Sequence, residues 1–228
     1  LNKSDIILMP SINFISSFNI ATSMGAKVYL VDVDEKVGQI TPKNIEITCK
    51  RYKIKKFKAL IAMYNGGNPL NCDEYIKLKK KYSFYFIEDA CHALGAYYKI
   101  KNKKYMIGSC KHADISTFSL HPLKTITTGE GGIVTTNNKN LDNKLKRFRS
   151  LGIQRNNKKH WDYNVNFTGF NFRLTDFQCA LGINQLSRVN QFLKKRKELK
   201  LKYDLNLKNI KGLIIQPLSK KYFSSNHL

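Results

Sequence analysis

One lysine in this chain stands apart from the rest. Lys124 lies in Ser119-Leu120-His121-Pro122-Leu123-Lys124-Thr125-Ile126-Thr127-Thr128-Gly129-Glu130-Gly131-Gly132, between a short apolar run and a glycine-rich turn that leads into another. Residues 113–136 hold no second lysine, although Lys and Arg together number 40 in the 228 residues. An earlier apolar run, residues 84–87, ends in the acidic pair Glu88-Asp89. An amine fixed between two strands and a carboxylate at the end of a third are the two parts that pyridoxal phosphate chemistry needs. The amine condenses with an aldehyde, and the carboxylate keeps the pyridine nitrogen protonated so that the ring accepts electrons. Strand alternation turns Glu88 and Asp89 to opposite sides, so one of the two faces such a site.

The elements that must hold these groups can be read from periodicity. Residues 5–9, 27–33, 57–64 and 84–87 read as strands, and residues 14–24 and 73–82 read as helices. Thr41-Pro42 supplies an N-cap and a first-turn proline for a helix through Tyr52. Strand and helix alternating at this spacing predict βαβ units and a mostly parallel sheet, with ligands at the carboxyl ends of the strands, where Asp89 falls. Beyond Asp89 the pattern turns to extended pieces at residues 97–107, 115–119 and 132–136. Helical periodicity returns at residues 141–151, 175–189 and 192–205. The reading is one large α/β domain over residues 1–190, then a linking helix and the start of a smaller domain over residues 191–228, with residues 212–216 as its first strand. The chain starts with Leu1 and stops without a closing element, so it reads as a fragment cut at both ends.

Composition narrows the function classes. A net charge of +24 suggests nucleic acid or an anionic surface. Only seven of the 40 basic residues are arginine, however, and the lysines spread along helices instead of forming a stripe with interleaved aromatics. Bidentate phosphate and base contacts favour arginine, so the charge reads as composition bias, without a nucleic-acid partner. Five cysteines at irregular spacing, with no C-x-x-C pair, fit a reducing cytoplasm and no metal centre. No apolar run approaches the roughly 18–20 residues of a membrane span.

Four segments in order carry a resemblance: Pro10-Ser11-Ile12-Asn13-Phe14-Ile15-Ser16-Ser17, then Glu88-Asp89-Ala90-Cys91-His92-Ala93-Leu94-Gly95-Ala96, then the Lys124 segment, then Gly169-Phe170-Asn171-Phe172-Arg173-Leu174-Thr175-Asp176-Phe177-Gln178-Cys179-Ala180-Leu181-Gly182. Together they resemble the DegT/DnrJ/EryC1/StrS family of nucleotide-sugar aminotransferases. The wording around Lys124 is closest to the pseudaminic acid branch, whose members aminate C4 of a UDP-linked 4-keto-6-deoxy-N-acetyl sugar. The resemblance implies the aspartate aminotransferase-like fold, fold type I, with pyridoxal phosphate bound to Lys124, which also shuttles the transferred proton. It implies Asp89 at the pyridine nitrogen, His92 near the phenolic oxygen, Ser119 on the phosphate and the Phe14 ring stacked on the cofactor. Asn171 would reach the phosphate of a neighbouring subunit, which implies a homodimer, with a nucleotide sugar as substrate and glutamate as amino donor.

Some features do not follow that pattern or stay open. The family's Gly-Thr/Ser-Ala turn, which cradles the phosphate at a helix N-terminus, does not occur in this sequence. His121 has no assigned role, and Tyr64 and Arg155 are unspecific candidates for a substrate loop. Two other readings compete with the aminotransferase. One is the family's dehydratase branch, in which a histidine replaces the lysine and which Lys124 opposes. The other is a non-catalytic basic binding module.

Overall fold

The computed structural model describes residues 1–156, 159, 161–216 and 219–227. Its strands are β1 (Ile6–Pro10), β2 (Lys27–Val31), β3 (Ala59–Met63), β4 (Tyr85–Asp89), β5 (Tyr97–Ile100), β6 (Lys103–Met106), β7 (Ile115–Ser119), β8 (Gly132–Thr135), β9 (Ile153–Arg155), β10 (Tyr163–Val165) and β11 (Tyr222–Phe223). The helices are α1 (Ser16–Ser23), α2 (Pro42–Arg51), α3 (Cys72–Tyr82), α4 (Lys139–Arg149), α5 (Asp176–Ser187) and α6 (Val189–Leu207). The central sheet runs β2-β1-β3-β4-β7-β8, with every neighbouring pair parallel except β7 and β8.

Alternation along the strands sorts the core onto the two faces of this sheet. Leu8, Leu60, Ala62 and Phe86 pack with Ile45 and Cys49 of α2 and with Tyr75 and Leu78 of α3. Ile7, Met9, Ala59 and Ile61 pack on the other face with Ala21 of α1. Thr41 caps α2 as the sequence predicts, its hydroxyl accepting from the Asn44 N–H at 3.2 Å, and Pro42 occupies the first turn. Such a cap contributes about 1 kcal/mol. Because β1, β3, β4 and β7 run parallel, their carboxyl ends lie along one side of the sheet, and the chain segments that follow them leave from that side.

The last third departs from the sequence reading in two places. Residues 212–216 form no strand; Leu213 and Ile214 are exposed, and the strand is β11, ten residues on, which pairs antiparallel with β5. The edge of the β5–β6 hairpin is where backbone groups need partners, and Phe223 stacks on Tyr97 there with centroids 5.3 Å apart. A second hairpin, β9–β10, was not expected from periodicity. The helix expected at residues 192–205 does form as α6, anchored by Leu193, its one buried residue.

Candidate active site

Lys124 sits on the loop between β7 and β8. Ser119 and Gly132 face each other across the strand pair, and the loop between them is tied to its own base. The Leu120 N–H donates to the Gly131 carbonyl at 2.9 Å, and the Thr128 N–H donates to the Leu120 carbonyl at 3.0 Å. The Lys124 N–H donates to the His121 carbonyl at 2.9 Å, so the backbone beneath the amine is fixed although its side chain is half-buried. His121 now has a local duty: its Nδ1 accepts from the Leu123 N–H at 3.2 Å, which shapes the turn.

Packing from α5 holds the same loop from outside. Gln178 closes a capping box, its side-chain oxygen accepting from the Thr175 N–H at 2.9 Å. Its amide nitrogen donates to the Glu130 carbonyl at 2.9 Å, so one side chain caps the helix and tethers the lysine loop. At Gly182 a Cβ would come within 2.8 Å of the Thr128 methyl, so α5 lies closer to the loop than a larger residue allows.

Asp89 and Glu88 end β4 with both carboxyls buried, and their surroundings differ. Glu88 accepts from the Tyr64 hydroxyl at 2.9 Å, from the Ser116 hydroxyl, and from the Gly108 N–H at 3.4 Å. Burial still pushes its carboxyl above the usual range, against the pull of these three donors. Asp89 accepts from the Cys91 N–H at 3.2 Å, and among the described residues no cation lies within ion-pair distance of it. A buried carboxylate without a cation is costly unless a positive group arrives, and a protonated pyridine nitrogen is such a group. Tyr64, a candidate for a substrate loop, is instead fully buried as a donor to Glu88.

Cys91 and His92 follow Asp89. Burial first, then the Asp89 charge, pushes the Cys91 thiol up to about 12. Burial first, then the positive charge of Lys124, brings His92 down to about 4, with Asp89 opposing. Lys124 and Asp89 thus each act electrostatically on Cys91 and His92. Two buried polar atoms here have no partner among the described residues, Nδ1 of His92 and the hydroxyl of Thr125. Ser119, the hydroxyl at the end of β7, accepts from the His121 N–H at 3.3 Å.

The remaining expected residues lie further out. Phe14, after β1 at the same sheet edge, is 75% exposed, which rules out core packing for its ring. Asn171 is exposed and bridged to Ser150, in a segment fastened to the end of α4. The structure does not bring it to Lys124 within one chain. Sequence reasoning missed His227, whose ring stacks on His92. Its one signal, a histidine near the end of the chain after Ser224-Ser225-Asn226, carries no spacing rule that links it to residue 92.

The parallel sheet, its helices on both faces and a lysine loop at the carboxyl edge beside a buried aspartate define the large-domain fold of the aspartate aminotransferase-like, fold type I proteins. The chain belongs to the DegT/DnrJ/EryC1/StrS aminotransferase family, whose model matches residues 1–228. A Campylobacter jejuni (strain 81-176) protein named UDP-4-amino-4,6-dideoxy-N-acetyl-beta-L-altrosamine transaminase is 42% identical over 202 residues, 89% of this chain and 51% of that protein. GDP-perosamine synthase of Escherichia coli O157:H7 is 33% identical over 215 residues, 94% of this chain and 54% of that protein. The solved structure of Helicobacter pylori PseC, an aminotransferase involved in the biosynthesis of pseudoaminic acid, superposes with a TM-score of 0.84 at 33% identity. That match covers 98% of this chain and 57% of the PseC chain. The chain spans about half the length of the curated relatives it matches.

Proposed function

We propose that this chain carries the catalytic lysine of a pyridoxal phosphate-dependent aminotransferase that converts a nucleotide-linked 4-keto-6-deoxy sugar into its 4-amino sugar for cell-surface glycan or polysaccharide synthesis. The observation that carries the reading is Lys124 on a braced loop, acting electrostatically on Cys91 and His92, which directly follow Asp89, a buried carboxylate with no cation of its own among the described residues. The chemistry supplied by bound pyridoxal phosphate is an aldehyde to capture an amine and a ring that accepts electrons.

Each protein group has a task in this reading. Lys124 Nζ is the base that holds the proton moved during transamination. Asp89 keeps its partner nitrogen protonated through a short-range charge in a buried setting. His92, neutral at pH 7 by burial and by the Lys124 charge, orients a hydrogen bond. Ser119 offers its hydroxyl to the phosphate, and the exposed ring of Phe14 offers a stacking face. Residues 1–190 make up the cofactor-binding domain, and residues 191–228 open the smaller one.

The substrate class follows the named relatives. The 42% identical transaminase and the match to PseC favour a UDP-linked N-acetyl sugar as substrate, with glutamate as amino donor and the cytoplasm as the place of reaction. A homodimer completes the site, Asn171 serving the partner copy. In support, α5 is rich in apolar residues yet buries none of them, with Phe177 90% exposed.

The test is direct. Mixed with pyridoxal phosphate, the protein should develop a visible absorbance band that borohydride abolishes, and peptide mapping should place the label on Lys124. Lys124→Ala should lose band and label. No band, or a label on another lysine, overturns the assignment.

A further inference from the structure

His227 is a buried ionisable group beside the site that the proposed chemistry leaves unused. It is 6% exposed, and its ring lies on that of His92 with centroids 3.9 Å apart and planes inclined by 22°. Neither ring nitrogen of His227 has a hydrogen-bond partner among the described residues. Among the described residues no side-chain hydrogen bond therefore holds this ring; the stack and the backbone around it do. The His227 N–H donates to the Gly66 carbonyl at 3.0 Å, and the Ser225 N–H donates to the Gly67 carbonyl at 3.2 Å. The Ser225 hydroxyl donates to the His92 carbonyl at 2.5 Å, so the segment grips His92 by its backbone as well as its ring. Gly67 leaves no room for a side chain in this seam: with φ at 82°, a Cβ there would overlap the Ser225 hydroxyl and come within 2.7 Å of the His92 carbonyl.

We propose that His227 is a positioning residue of the active site, fixing the ring plane of His92 and closing it off from water through the stack. The proposal rests on His92 belonging to the site. Ring-on-ring contact removes one face of His92 from solvent, and an imidazole confined in this way keeps one orientation toward whatever it contacts. The charged and titratable groups acting on the pair are Asp89 and Lys124 for His92, and Lys124 and Arg196 for His227. Burial, chiefly, keeps both rings neutral; the Lys124 charge adds to it at His92, and His92, then Lys124 and Arg196, add to it at His227, down to about 3.

Imidazole NMR of the intact chain at pH 5.5 tests the idea without cofactor. Wild-type His92 should be almost wholly neutral there, with roughly a thirtieth of molecules protonated, as a group titrating near 4 must be. His227→Phe keeps a flat ring over His92 and should leave it neutral. His227→Ala opens that face to water and should raise the midpoint by about one unit or more, toward the usual 6.5 for histidine. If His227→Ala does not fold, Ser225→Ala, which frees the His92 carbonyl and keeps the ring, should give a smaller shift of the same sign. Equal His92 protonation in wild type and every folded variant, or a Phe variant that behaves like the Ala variant, overturns the proposal. Failure of borohydride labelling at Lys124 would remove the cofactor assignment and leave this result standing.

Discussion

Glu88 and Asp89 are adjacent, both buried and both at a strand end, yet a single substitution at each should read out differently. Glu88 accepts from the hydroxyls of Tyr64 and Ser116, and removing its carboxyl leaves these two buried donors with only a weakly accepting sulfur nearby, Cys72 for Tyr64 and Cys110 for Ser116. Each such loss costs about 1–3 kcal/mol, so Glu88→Ala should lower unfolding stability by roughly 2–6 kcal/mol, measured in urea. Asp89→Asn keeps the shape and still accepts from the Cys91 N–H, so its stability should stay within about 1 kcal/mol of wild type. Its loss should appear instead in pyridoxal phosphate absorbance and turnover. A large stability loss in Asp89→Asn, or a neutral Glu88→Ala, would reverse these roles. Strand alternation made the opposite orientation of the two carboxyls legible in the sequence. Which side carried the fixed hydroxyls was not legible, because Tyr64 and Ser116 lie 24 and 28 residues away.

At the scale of elements, the lysine loop depends on a helix that comes about fifty residues later. Gln178 uses its oxygen on the α5 cap and its nitrogen on the Glu130 carbonyl, and two substitutions separate those uses. Thr175→Ala removes the capping hydroxyl and should cost about 1 kcal/mol in urea, with borohydride labelling of Lys124 unchanged. Gln178→Leu removes the tether as well, and should lower both stability and the labelling yield. Equal labelling in the two variants would reduce Gln178 to a cap. The helices and parallel strands were readable because local period and capping residues decide them; Thr41-Pro42 is such a capping signal. Strand β11 was not readable. The apolar run at residues 212–216 is the stronger local signal, but the open edge of β5 decides where a strand forms, and an edge is a property of the assembled fold. For the same reason, the meeting of His227 with His92 could not be drawn from spacing.

For the whole molecule, the buried imidazoles and the charge excess together set the response to acid. In the fold, His92 titrates near 4 and His227 near 3, both below the 6.5 of an unfolded histidine, so between pH 6.5 and 4 the unfolded chain binds more protons. Stability from these two groups is fully present above pH 6.5 and is lost as the pH falls through that window. Glu88 works in the opposite sense, since burial raises its pKa and the fold takes up that proton first. One carboxyl opposes two imidazoles, and protonation of surface carboxylates adds to a net charge already at +24, which strains the compact state further. The urea midpoint should therefore fall steadily from pH 7 to pH 4. Added salt should soften the charge-repulsion part and leave the histidine part, because screening acts on exposed charges and hardly on a buried ring. His227→Phe, with one fewer imidazole to keep neutral, should show a shallower fall than wild type. A midpoint that holds constant from pH 7 to 4, or an identical slope in the Phe variant, would mean that the stacked histidines are not neutral inserts in the fold but titrate as freely as surface groups.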